Sequence, residues 1–290
     1  MEHLTLPDGR TLEYLVEGPA SAIPLVLHHG TPSGTVRYPP LVDAVLAGGF
    51  RFVQASRPGY ATSTPHPGRR VADAAADTAA LMEALEAPAF VAVGWSGGGP
   101  HALACAALLP ERCRAVATIA GVAPYDGKGL DWLAGMGEEN VQEFGAAVAG
   151  PEALDAFLIP AAAGMGEVTA ADLVEAFGDL ISEVDKAALA GGLDDYLAAS
   201  FRASVAGGIA GWRDDDLAFV VDWGFRLEDI RVPLSLWQGD QDRMVPYAHG
   251  GWLAEHLPTA EPHLVPGEGH LSLLSNITTI VGDLRRHAGR

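Results

Sequence analysis

Six short apolar runs, each closed by a glycine- or proline-containing turn, set the strongest constraint on the fold of this chain. They are IPLVLHHG, FRFVQASRPGY, AFVAVGWSGGG, CRAVATIAGVAP, VPLSLWQGD and EPHLVPGEGH. Runs that are apolar throughout, rather than alternating, fit strands covered on both faces, and parallel strands need helical crossovers between them. Helices are expected over YPPLVDAVLAGG, VADAAADTAALMEALEA, HALACAALLPE and AHGGWLAEHL, and from about Leu273 onward. The N-terminal HLTLPDGRTLEYLVEG alternates instead and turns at Asp8-Gly9, which predicts a β-hairpin. The fold class is therefore α/β, a mostly parallel, doubly wound sheet.

The rhythm breaks between residues 125 and 231, where no strand-like run occurs. Helices are expected there over LDWLAGMGEENVQEFGAAVA, PEALDAFLIPAAA, TAADLVEAFGDLIS, DDYLAASFRASVAG and DDDLAFVVDWG. The organisation expected is a core of residues 1–124, a helical cap of residues 125–231, and the rest of the core at 232–290. Between Asp126 and Arg231 there are 21 acidic and 6 basic side chains, against 16 and 12 elsewhere. Such an excess reads first as a solvated helical face, and second as a lid whose field screens substrates by charge.

A chain of 290 residues with net charge −19 does not suit nucleic acid or an anionic membrane as partner. No apolar run approaches the ~18 residues of a membrane span. The opening MEHLTLPDGRTLEY lacks the basic and apolar regions of a signal peptide, so a cytoplasmic location is expected. Cys105 and Cys113 form no disulfide framework, and no His/Cys spacing suggests a metal site.

Chemistry concentrates at Gly94-Trp95-Ser96-Gly97-Gly98, where a strand runs into a helix. A serine there sits on a tight turn with its hydroxyl lifted off the sheet, and flanking glycines let the backbone close up. The following helix aims its N-terminus at the same point. A phosphate loop would need a lysine after the last glycine, and a dinucleotide fold a Gly-x-Gly-x-x-Gly near the first strand; both are absent.

A serine nucleophile needs a base, and the base needs an acid to hold its tautomer. His270, in the glycine-rich loop PGEGH after a late strand, is the expected base, because loops at the carboxyl ends of parallel strands gather at one edge. His263 reads as structural, and His249 and His256 fall in a helix. For the acid, GDQD offers Asp240 and Asp242; Asp242 is farther out and favoured, Asp240 suits a turn, and Asp126 ranks third. An oxyanion hole is expected from backbone N–H groups of Gly97 and of Thr31 in HHGTPSG, with His28 and His29 as scaffold and Pro32 stiffening the loop.

With these residues placed, the chain resembles the α/β-hydrolase fold superfamily, of the serine-nucleophile type with a helical cap, over nearly its whole length. HHGTP resembles the family's His-Gly-x-Pro oxyanion loop, and GWSGG its nucleophile elbow. WQGDQDRMVP and PGEGH are similar to the acid and histidine loops, and the order Ser, Asp, His matches. SRPGYATS resembles the Asp-Arg-x-Gly-x-Gly-x-Ser turn, with Ser56 and Ala61 departing from it. Ser96 separates the chain from dehalogenases and epoxide hydrolases that use aspartate, and neither glycine motif is that of prolyl iminopeptidases. The resemblance implies an esterase-like enzyme that cleaves a small, neutral, moderately apolar carboxylic ester or lactone without metal or organic cofactor. Carbon–carbon bond hydrolysis or perhydrolysis on the same triad, and a receptor without turnover, are the alternatives. A homo-oligomer is compatible with the sequence.

Overall fold

The computed structural model describes residues 1–289. Its chain runs β1 (Glu2–Thr5), β2 (Thr11–Glu17), β3 (Pro24–His28), α1 (Pro39–Ala47), β4 (Arg51–Ala55), α2 (Asp73–Ala84), β5 (Phe90–Trp95), α3 (Gly98–Leu108) and β6 (Cys113–Ile119). Helices only follow: α4 (Glu138–Ala149), α5 (Pro151–Met165), α6 (Leu173–Phe177), α7 (Glu183–Ala188), α8 (Leu193–Val205) and α9 (Ala210–Phe219). The sheet resumes with β7 (Leu234–Gly239), α10 (Tyr247–His256), β8 (Ala260–Val265) and α11 (Ile277–Ala288).

One eight-stranded sheet has the order β1-β2-β4-β3-β5-β6-β7-β8. The six strands β4 to β8 along this order are parallel, and the β1–β2 hairpin adds to β4 antiparallel. Successive residues of the central strands serve opposite cores, as the two-residue period requires. Val26, Phe90, Ala92 and Val116 pack on the side of α2 and α3, with Leu81, Met82 and Leu103. Leu25, Leu27, Val91 and Val93 pack on the other side, with Val42 and Val45 of α1 and Ile280, Val281 and Leu284 of α11. The loops leaving β3, β5, β7 and β8 thus gather at one edge, where α4 to α9 also lie.

The helical stretch departs from its sequence pattern in detail. LDWLAGMG, expected to be helical, is a chain of turns with Gly135 at φ 92°, and α4 begins only at Glu138. TAADLVEAFGDLIS is broken into the tight turn Ala170–Asp172, the short α6 and the turn Gly178–Leu180, with Gly178 at φ 52°. Helix α7 matches no helical segment of the sequence pattern, and α9 starts four residues before the aspartate run. Among the described residues no helix is long and apolar enough to cross a membrane.

Candidate active site

Ser96 follows β5 with φ 55°, in the left-handed region that costs an ordinary residue ~1–2 kcal/mol. Its amide donates to Ile119 O at 2.8 Å, and its carbonyl accepts from Gly99 N at 2.8 Å, which locks the turn into α3. The surrounding glycines are required by close approach. A Cβ on Gly94 would lie 2.6 Å from the Cα of Gly99, and one on Gly98 would strike the carbonyl of His28. The elbow is thus compressed between β3, β6 and its own helix.

His270, in the loop after β8, is 2% exposed, and its Nδ1–H donates to Asp242 Oδ2 at 2.9 Å. That carboxylate is fixed by its own loop: Oδ1 accepts from Met244 N at 2.9 Å and Val245 N at 2.8 Å, and Oδ2 from Gln238 Nε2 at 3.1 Å. Burial opposes protonation of His270, but the field and hydrogen bond of Asp242, with a contribution from Asp185, hold its pKa above the usual imidazole value. The other candidates are engaged elsewhere. Asp240 is exposed and accepts from Gly267 N at 2.8 Å, and Asp126 is exposed after β6. His263 stacks on Trp237 at 4.0 Å. Buried His249 donates from Nε2–H to Trp132 O at 2.8 Å and accepts from Ala123 N at 3.1 Å, and burial lowers its pKa to about 4. His256 stacks on Trp252 at 3.8 Å.

The loop after β3 lies directly on the elbow. A Cβ on Gly30 would be 3.4 Å from Ser96 Cβ, and one on Gly97 would be 2.9 Å from Thr31 Cβ. The two segments expected to supply oxyanion donors are therefore in contact. The histidines tie this loop down: His29 Nδ1–H donates to Gly30 O at 2.8 Å, and His28 Nε2 lies 3.5 Å from Cys105 Sγ.

In front of these groups lies a cavity of about 340 Å³, within the range of small-molecule sites. Its floor includes Thr31, Ser96, Gly97 and His270, and its roof comes from the helical stretch through Phe144, Phe177, Phe201, Trp212 and Phe219. A separate void of about 30 Å³, between Arg57, Arg69 and Asp77, has room for little more than a water and does not reach Ser96. Phe201 and Trp212 line the cavity, whereas Trp132 packs edge-on against Phe144 at 4.6 Å. Two arginines of the helical stretch are engaged away from the cavity. Arg202 donates to Val168 O at 2.5 Å, and Arg213 pairs with Asp214 at 3.0 Å.

A profile of the alpha/beta hydrolase fold matches residues 23–277. The chain belongs to the α/β-hydrolase fold family. This α/β hydrolase is 30% identical over 233 residues to a pimeloyl-[acyl-carrier protein] methyl ester esterase of Chromobacterium violaceum, across 79% of this chain and 80% of the esterase. It is 33% identical over 151 residues, 51% of its length, to a non-heme chloroperoxidase of Streptomyces lividans, and it spans only 55% of that relative. Among solved structures, an esterase from a Rhodococcus species superposes with a TM-score of 0.70 at 20% identity, covering 99% of this chain and 98% of that one. That likeness is one of fold.

What the sequence did not disclose in this α/β hydrolase is how the helical stretch holds the two loops. Asp215 of α9 is fully buried beneath Thr31. Its Oδ2 accepts from Thr31 Oγ1 at 2.8 Å, Tyr60 OH at 2.9 Å and Arg57 Nη2 at 2.5 Å, and its Oδ1 from Arg69 Nη1 at 2.7 Å. Arg57 continues to the carbonyls of His29 at 2.5 Å and Gly30 at 3.1 Å. Burial works against the charge of Asp215, yet Arg57 and Arg69 hold its carboxyl well below the usual range. Asp185 of α7 does the same for the histidine loop, accepting from the amides of His270 at 3.0 Å, Leu271 at 2.7 Å and Ser272 at 3.0 Å. The acidic excess of this stretch is thus not wholly a solvated face. Glu143, Asp185, Asp214, Asp215 and Asp216 are all buried. The available signal was WRDDDLAF, where three consecutive aspartates share two helical turns with Trp212, Leu217 and Phe219.

Proposed function

We propose that this α/β hydrolase cleaves a carboxylic ester or lactone through an acyl-enzyme on Ser96, His270 and Asp242. The single observation that supports this best is the hydrogen bond of 2.9 Å from His270 to Asp242, with His270 lining the cavity that Ser96 also lines. Because Nδ1–H faces the carboxylate, Nε2 is the free base of the ring. His270 Nε2 takes the Ser96 hydroxyl proton as the oxygen attacks the carbonyl, and Asp242 stabilises the imidazolium. The amides of Thr31 and Gly97 hold the oxyanion. His270 then protonates the leaving alkoxide, and deprotonates the water that releases the acid.

Residues 125–231 act in this reading as a cap that roofs the cavity. Its apolar rings suit a small, moderately apolar substrate, and its acidic excess favours uncharged esters over carboxylated ones. The likeness to a non-heme chloroperoxidase supports a second reading, in which hydrogen peroxide rather than water attacks the acyl-enzyme and leaves as a peracid.

Turnover of p-nitrophenyl butyrate, with and without peroxide, separates these readings, the peracid being read directly. Ser96→Ala is expected to lower kcat by about 10⁴ to 10⁶, and Asp242→Asn by about 10³ to 10⁴, with Asp240→Asn far milder. A fluorophosphonate should label Ser96. Labelling of another serine, or full activity in Ser96→Ala, would overturn the assignment, and the reverse ranking of the aspartates would move the acid to Asp240.

A further inference from the structure

The cavity contains acidic groups that ester cleavage at Ser96 does not use. Glu143 of α4 and Asp216 of α9 sit side by side in its wall, 7% and 0% exposed, and Glu139 and Asn140 lie close by on α4. Glu143 is half satisfied, since Trp212 Nε1–H donates to its Oε1 at 2.6 Å. Asp216 receives no N–H or hydroxyl donor, and its one hydrogen-bond partner is the carboxyl of Glu143, with which it shares a proton. Burying an acid without a donor is costly, and so is placing two carboxylates together. Burial, and then the proximity of Glu143, raise Asp216 well above the ordinary carboxyl value. Burial likewise takes Glu143 up to about 7, opposed by the hydrogen bonds from Asp216 and Trp212, with the charge of Glu139 adding a little to the rise. The other charged groups felt here are Asp215, of like sign, and Arg69, which lies behind α9 and is already paired with Asp215.

The chemistry of the occupant follows from what this wall lacks. No lysine or arginine side chain lines the cavity among the described residues. A carboxylate or phosphate at this wall would therefore meet repulsion, since the His270 imidazole that also lines the cavity is already paired with Asp242. A hydroxyl brings one donor, too few for two carboxyls. A protonated amine brings three N–H donors and a positive charge, and the rings of Trp212, Phe144 and Phe219 lining the same space suit both its alkyl stem and its charge.

We propose that Glu143 and Asp216 form a binding subsite for an alkylammonium group, so that preferred substrates carry a protonated amine on the part entering the helical roof. That these substrates are esters rests on the function proposed above; the amine subsite itself does not. Occupation of the subsite draws the carboxyl pair into its ionised form, so binding releases protons to the buffer at neutral pH.

The first test is calorimetry with hexylammonium and with hexanol, in buffers of different ionisation enthalpy. Hexylammonium should bind about tenfold or more tightly than hexanol, with net proton release, since each factor of ten needs only one good charge-assisted contact. Asp216→Asn and Glu143→Gln should each remove most of that preference and the proton release. If Asp216→Asn does not fold, Glu143→Gln decides. Equal affinity for amine and alcohol, or a preference that survives in the folded variants, overturns the subsite.

A second arm compares kcat/KM for the p-nitrophenyl esters of aminocaproic and heptanoic acid, which differ only in ammonium for methyl. The ratio should favour the aminocaproate in the wild type and fall in the variants. If neither ester turns over, the esterase reading fails and the calorimetry alone judges the subsite. If the heptanoate turns over and hexylammonium shows no advantage, the subsite fails and the esterase reading stands.

Discussion

Asp215 and Asp216 follow one another on α9 and are equally buried, yet they serve two different regions of the molecule. The helix turns ~100° per residue, so one carboxyl reaches the space behind the loop after β3 while the next reaches the cavity in front of it. Behind the loop, Asp215 meets Arg57 and Arg69 and stays ionised. In front, Asp216 meets the carboxyl of Glu143, the one cation it feels, Arg69, is already paired with Asp215, and its ionisation is suppressed. Burial alone pushes both carboxyls the same way. The partners, not the depth, decide which one carries charge.

The sharpest way to break this comparison is to neutralise each acid in turn. Asp215→Asn strands two buried guanidinium groups, and removing one partner of a buried ion pair costs about 3–5 kcal/mol. Asp216→Asn removes a carboxyl whose ionisation burial and Glu143 already oppose, and should change stability by less than about 1 kcal/mol. Urea unfolding of the two variants measures the difference. Equal losses would mean that Asp216 is held by a charge partner after all.

A smaller effect is expected at Thr31, where the hydroxyl joins the loop after β3 to Asp215 and Arg57. Its amide is the proposed donor, so Thr31→Ala should keep activity but lose about tenfold in kcat as the loop loosens. Thr31→Ser should restore it, with KM little changed throughout. If Thr31→Ala is fully active, the amide works without help from the side chain.

The subtlest consequence is a pair of opposite pH slopes. Glu143 is raised from 4.5 to about 7 in the folded chain, so its contribution to stability is complete below 4.5 and is lost as pH rises through about 7. Asp215 is depressed, so its contribution is present above its ordinary 3.8 and is lost only as acid carries the pH down through its folded value. Glu143→Gln should therefore flatten the stability profile between mildly acidic and neutral pH relative to wild type. An unchanged slope would show that another group titrates there.

These contrasts mark what the sequence discloses and what it does not. The elbow, the strands and the acid and histidine loops are local patterns: an apolar run, a glycine at a forced turn, a carboxylate or imidazole just beyond a strand. Asp242 and His270 stand out for that reason, and β3 to β7 bury as their runs indicate, whereas β8, expected to be covered on both faces, is the sheet's edge strand and has no buried residue. The placing of Asp215 depends on Arg57 and Arg69, separated from it by 158 and 146 positions, and that of Asp185 on amides 85 to 87 positions away. No window of the chain contains both partners, so an aspartate destined for burial reads like any other surface acid. The breaks at Gly135 and Gly178 fall on glycines with positive φ, a local stop that the helical spacing of the apolar residues around them masks.

Asp185 and Asp215 also bear on how this enzyme can be re-engineered. Exchanging the whole helical stretch for that of another hydrolase, chosen for the shape of its roof, would leave Arg57 and Arg69 without a counter-ion and three amides of the histidine loop without an acceptor. The transplant would then be judged inactive for reasons unrelated to the new substrate. The workable unit is the stretch between the two anchors, residues 186–214, together with single replacements on α4. A chimera cut inside those limits keeps both carboxylates in register with the core, and lets specificity be varied while the two loops stay where they are.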